Sequence, residues 1–231
     1  MAATALDPVL IVITIVRLRE RIHQRFPSSG LARVCASLAD AARRTANETA
    51  YIQAPNLLLR TGVGIVLALG LFLIFAATRN LNLSPGAPKA LEIVQGVDAS
   101  INVLLLAAAG IAFLLTIETR LKRRRAIAAL QEIRGLIHVI DMHQLTKDPG
   151  MLGGARTSAS PERDLTPFEL QRYLDYCTEM LSLAAKIAAL YAQAARDAQT
   201  EESASDIERL ATNLSQKIWQ KISILRVTGS A

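Results

Sequence analysis

The sequence predicts an all-α membrane protein: a two-span transmembrane helical hairpin carrying a cytoplasmic helical domain. Three observations point there. Two windows of the 231-residue chain, 61–78 and 99–117, contain no Asp, Glu, Lys or Arg, and each is close to the roughly 20 apolar residues that carry a helix across a bilayer. Hydrophobic residues make up 51% of the chain and aromatic ones only 4%, so the apolar mass is mainly Ala, Leu and Ile, which favours helix over sheet. The basic residues, finally, are distributed unequally about the two windows.

Residues 1–56 read as N-terminal cytoplasmic or interfacial helices. An apolar run from Pro8 to Val16 opens them, too short to span a bilayer. A secretory signal needs basic residues ahead of its apolar run, and here Arg17, Arg19 and Arg21 follow it. Two readings remain: an interfacial or core-packed helix with Ile15, Leu18, Ile22 and Phe26 on one face, or a marginal third span over 8–16. "PSSG" at 27–30 breaks the chain. A second helical pattern follows, with Leu31, Val34, Cys35 and Leu38 on one side and Arg33, Asp40, Arg43 and Arg44 on the other. Pro55 ends it.

Residues 57–119 form the transmembrane hairpin, with spans at about 60–78 and 99–118 and an external loop at 79–98. Neither span has the polar face that a helix in water needs. Gly64 with Ala68, and Ala108 with Ala112, are small-xxx-small pairs that suit close helix packing inside a membrane. Arg43, Arg44 and Arg60 precede the first span, only Arg79 and Lys89 lie between the spans, and "RLKRRR" follows the second. The positive-inside rule therefore places both flanks in the cytoplasm and the connection outside, in the cell inner (cytoplasmic) membrane.

Residues 120–146 continue the second span as a cytoplasmic rod, because Ile127, Leu130, Ile133, Ile137 and Ile140 keep a helical period. The cluster Arg120, Lys122, Arg123, Arg124 and Arg125 falls where anionic headgroups attract each basic side chain by about 1 kcal/mol. The net charge of +6 is thus explained by topology and calls for no nucleic-acid partner. Residues 147–165, rich in Pro, Gly and Ser, read as a flexible loop.

Residues 166–231 read as a helical hairpin. Thr166, Pro167 and Glu169 form a capping box with Pro at the first helical position, and Leu165 and Leu170 are placed for a hydrophobic staple. Leu170, Cys177, Ala184 and Tyr191 recur every seven residues beside Tyr173, Met180, Ile187 and Ala194, a coiled-coil-like seam. "DAQTEES" reads as an acidic linker, after which Ser205 and Glu208 open a last helix with Ile207, Leu210, Ala211, Leu214, Ile218, Ile222 and Leu225 on its apolar face. Trp219 in that stripe reads as core packing, with the headgroups as the alternative for Trp219, Lys217 and Lys221.

No glycine-rich phosphate loop, nucleophile elbow or HExxH is present, and Cys35 and Cys177 have no metal-ligand spacing. No catalytic residue, cofactor or metal is expected. The one unusual stretch is "RGLIHVIDMHQLTKDPG", residues 134–150. Arg134, His138 and Asp141 share a helical face at i, i+4 and i+7 and are expected to form a polar cluster toward other helices. His143 points about 140° away from His138, so one helix cannot bring both to one metal. Either the cluster is an interhelical brace, or it is a ligand- or proton-sensitive site. "HVIDMHQLTKDP" and "LSQKIWQKI" resemble segments of uncharacterised bacterial two-span integral membrane proteins, a resemblance that covers the second span and the C-terminal half and implies a class without an activity.

The function expected from these features is that of a non-enzymatic integral membrane protein. Its expected partners are the bilayer and further copies of itself or a cytoplasmic protein, and its helical domain mediates that self-assembly or partner binding. The alternatives are a multimeric pore-forming effector or channel, then a membrane-bound enzyme using the His138/Asp141 region.

Overall fold

The computed structural model describes residues 5–54, 57–80, 90–147, 149, 158 and 165–228. The described residues are all-helical, in the order α1 (Pro8–Arg25), α2 (Gly30–Gln53), α3 (Leu57–Asn80), α4 (Ala90–Leu145), α5 (Pro167–Ala195) and α6 (Ala198–Thr228). The chain divides into two compact units, Met1–Gln53 with Arg123–Ala231, and Ala54–Lys122. The segments that the sequence separates as N-terminal helices, rod and C-terminal hairpin thus share one unit.

In that first unit each helix begins or ends for a local reason. Asp7 caps α1, its carboxylate accepting the Val9 N–H at 2.8 Å, with Pro8 at the first helical position. Thr166 and Glu169 cap α5 reciprocally, as the capping-box spacing predicts. The left-handed Arg196 stops α5 after Ala195. α6 then starts at Ala198, one turn after α5 and well before Ser205. Residues 197–203 are therefore no linker, and Ser205 is exposed within the helix. Thr200 and Ala204 are buried and carry the apolar face of α6 back toward Asp197, a continuation that side-chain hydrophobicity alone understates.

α5 is the central helix. It packs on α1, α2 and α6, and all eight residues of its heptad-like seam are buried. α1 lies on α2 and α5 through Ile11, Ile15, Leu18 and Ile22, which makes the first apolar run a core-packed helix and not a third span. Ala126, Leu130, Ile133, Ile137 and Ile140 of α4 enter the same core. Ile127, expected on that face, is only half-buried and Ala126 takes its place. Bridges run between neighbours along the bundle: Arg21 to Glu179 at 2.5 Å, Arg44 to Glu132, and the Tyr191 hydroxyl to Glu48 at 2.5 Å.

In the second unit α3 and the first part of α4 expose apolar side chains on most sides. Among the described residues one helix, Ile101–Leu145, is long and apolar enough to cross a membrane, and none of its most apolar window is buried. The apolar part of α3, Arg60–Leu73, is shorter, so the described residues contain one such helix where the sequence predicts two. The expected loop 79–98 is helical at both ends, since α3 runs to Asn80 and α4 begins at Ala90. Propagating an existing helix adds one hydrogen bond per residue, and Ala90, Leu91 and Glu92 are good helix formers. Residues 81–89 lie outside the described residues, as does most of the predicted loop 147–165.

Candidate functional site

α4 continues without a break through the basic residues to Leu145, as its periodicity predicts, and this positions the unusual stretch deep in the first unit. The expected cluster of Arg134, His138 and Asp141 is not formed. Arg134 reaches across to Asp206 on α6 at 3.7 Å, where Asp206 also pairs with Arg209. His138 is exposed, and its side chain makes no hydrogen bond or ion pair among the described residues. Asp141 accepts the Gln144 side-chain N–H at 2.7 Å. Arg134 and Asp141, seven residues apart, lie about 10 Å from one another along the helix axis; each is taken by another partner, and His138 between them faces outward.

The interhelical brace exists one turn further on. Gln144 is 2% exposed. Its side-chain oxygen accepts the Lys221 ammonium at 2.7 Å and its main-chain carbonyl accepts the same ammonium at 3.0 Å. A cation on the last carbonyls also complements the negative end of the α4 dipole. Gln144 and Lys221 were not recognisable from sequence, because a glutamine and a lysine at unremarkable spacing advertise nothing until two helices meet.

His143 sits against the start of α2. A β-carbon on Gly30 would stand 2.2 Å from its Cε1, so only glycine allows this approach. Burial, then the charges of Arg33 and Lys147, lower the His143 pKa below its usual value. Among the described residues no group of His, Cys, Asp and Glu converges to hold a metal ion. Cys35 and Cys177 are buried free thiols, each pushed up to about 12 chiefly by burial.

The basic cluster is divided by its contacts. Lys122 bonds Glu118 at 2.7 Å and the Ala54 carbonyl at 2.8 Å. Arg123 pairs with the nearly buried Asp197 at 2.7 Å, an arrangement that brings the charges together without a well-aligned hydrogen bond. Arg125 lies over the Tyr51 ring at 4.7 Å. Arg120 and Arg124 stay exposed with no bonded partner among the described residues. Of the five residues expected to face headgroups, three are thus engaged within the protein. Gly64, Ala68, Ala108 and Ala112 are all exposed, while the half-buried Gly62, Gly70, Ala107 and Gly110 take the positions of lower exposure in their unit.

A groove of about 880 Å³ runs between α1 and α6, with α5 as its floor. Ser182, Ala185 and Ala189 line the floor, Thr14 and Thr212 the walls, and Trp219 one end. Trp219 is 52% exposed, which corrects its assignment to the core. No family model, curated protein or solved structure matches the chain.

Proposed function

We propose that this chain is an integral protein of the cytoplasmic membrane. It crosses the bilayer twice, with α3 and the first part of α4, and its helical bundle stands in the cytoplasm as a module for self-assembly or for binding a protein partner. The observation that carries the reading is the bare apolar surface of α4. Leu104, Leu105, Leu106 and Phe113 each leave more than half of their surface uncovered. Full removal from water favours a side chain of this size by about 1.5–3 kcal/mol. Summed over both helices, the preference for a non-aqueous environment exceeds the stability of an ordinary domain, about 5–15 kcal/mol. Lipid supplies that environment, and the arginines and lysines beside the apolar segments select the cytoplasm for both flanks.

Self-assembly draws its support from Gly64, Ala68, Ala108 and Ala112. Their exposure leaves small-residue faces available to another helix. Single cysteines at Ser84 and Ser158, in a chain lacking Cys35 and Cys177, test the topology with an impermeant thiol reagent on intact spheroplasts. Ser84→Cys is expected to label and Ser158→Cys to label only after lysis; the reverse pattern excludes this orientation. Particle mass in nanodiscs tests assembly. A multimer that Gly64→Ile with Ala108→Ile converts to monomer supports it, and a wild-type monomer leaves partner binding alone.

A further inference from the structure

We propose that the first two turns of α1 are an interfacial anchor, in which Val9, Leu10 and Ile13 enter the headgroup–acyl boundary beside arginines that contact anionic headgroups. The inference rests on the membrane reading above and goes beyond it by adding a second, non-spanning contact with the bilayer.

The contacts within the bundle define which of its ends is concerned. The Leu6 N–H donates to the Gln193 side chain at 3.1 Å, Arg123 pairs with Asp197 at 2.7 Å, and Arg125 covers Tyr51. These contacts gather the start of α1, the end of α2, the beginning of α4's share of the bundle and the α5–α6 turn at one end. Both passages of the chain into the apolar unit, after Gln53 and before Arg123, lie at that same end. The opposite end is marked by Gln144 with Lys221, Lys147 over Tyr173 and Arg25 over Phe168. Gln144 is 21 residues from Arg123 along one helix, about 30 Å, so Trp219 and Lys221 belong far from the chain passages.

The outer face of α1 then changes character along its length. Ile11 and Ile15 are buried, as in any amphipathic helix. On the exposed side stand Val9 and Leu10, both 61% exposed, and Ile13. From Arg17 onward the exposed side carries Arg17, Glu20, Arg21 and Gln24. A helix that faces only water typically carries polar and charged residues on its outer face. This one presents Val9, Leu10 and Ile13 over its first ~8 Å, and the exposed Thr14 beside them turns its hydroxyl onto the Leu10 carbonyl at 2.7 Å; that length lies within the depth of about 5–10 Å that an interfacial helix occupies. The same end exposes Arg124 and Arg196, and Tyr51 has the amphipathic ring that suits a membrane interface. Nearby acids are largely engaged: Asp7 caps α1, Asp197 holds Arg123 and Glu48 accepts Tyr191. Glu201 and Glu202 are exposed there and temper the positive surface.

Single-tryptophan probes test the anchor in the full chain, with Trp219→Phe as background, in liposomes whose lipids carry bromine near the top of the acyl chains. Leu10→Trp is expected to be quenched, Leu106→Trp to be quenched as the span marker, and Phe168→Trp to be insensitive. Val9→Trp provides a second probe should Leu10→Trp perturb folding. Adding Arg124→Gln, or Arg196→Gln, is expected to weaken the Leu10→Trp contact with anionic lipid about fivefold each. Quenching at Leu106→Trp but not at Leu10→Trp or Val9→Trp overturns the anchor and leaves the spans intact; that is also the result expected if a second copy covers this patch. No quenching at any probe overturns the membrane reading and the anchor with it.

Discussion

Gly30 and His143 illustrate how one atom decides a contact. The Ser29 hydroxyl accepts the Ala32 N–H at 3.2 Å and starts α2, and His143 packs onto the first residue of that helix. Gly30→Ala places a methyl 2.2 Å from Cε1, so the imidazole must swing away from the start of α2. The imidazole NMR signals of His143 are expected to shift in Gly30→Ala in matched detergent, and unchanged signals refute the close approach. His143 also links stability to pH. Burial comes first among the causes of its lowered pKa, followed by Arg33 and Lys147. The folded pKa lies below the unfolded value of about 6.5, so between the two the unfolded chain binds a proton that the folded one does not. The stabilising contribution is present above about 6.5 and is lost as pH falls through the folded pKa. Wild type is expected to lose more stability than His143→Gln between pH about 7.5 and about 5.5; equal losses would exclude the role. Both thiols are held far above neutral pH by burial and should resist alkylation until the bundle unfolds.

The helices show two kinds of sequence signal. Capping chemistry is local and legible: the Thr166–Glu169 box forms as its spacing predicts. At the other end of α5, Arg196 has φ 50° and ψ 39°, a conformation that costs a non-glycine residue about 1–2 kcal/mol. Arg196→Gly is therefore expected to stabilise the bundle by about 1 kcal/mol, read as a higher denaturant midpoint; a lower midpoint would mean that the arginine side chain holds the turn. In the seam, Ile187 is fully buried, and Ile187→Asp places an unpaired charge in the core. Loss of the cooperative transition is the expected result, and wild-type proteolytic fragments from that variant would contradict the packing.

For the molecule as a whole, the two units predict a separable bundle. The first unit has its own continuous core, and its two connections to the second lie at one end. Replacing residues 54–122 by a short Gly/Ser linker should yield a water-soluble helical protein with a cooperative melt and protected thiols. Aggregation, or a broad melt with reactive Cys35 and Cys177, would show that the bundle requires the apolar helices.

The sequence by itself determined the helical class, the buried faces of α1, α2 and α5 with the greater part of those of α4 and α6, the α5 capping box, the unbroken run of α4 past the arginines, and the charge-free windows. Each of these is a property of residues within a few turns, and the 3.6-residue repeat reports which of them share a face. The tertiary structure alone decided who meets whom. Arg134 turned to Asp206 and Asp141 to Gln144, leaving His138 exposed. Arg123 and Lys122 became braces, while Arg120 and Arg124 stayed exposed. Thr200 and Ala204 extended α6 to Asp197. Sharing a face specifies a direction only. The partner depends on which neighbouring helix brings a complementary group within the roughly 3 Å of a hydrogen bond or 4 Å of an ion pair, and that is a long-range property which local spacing does not encode.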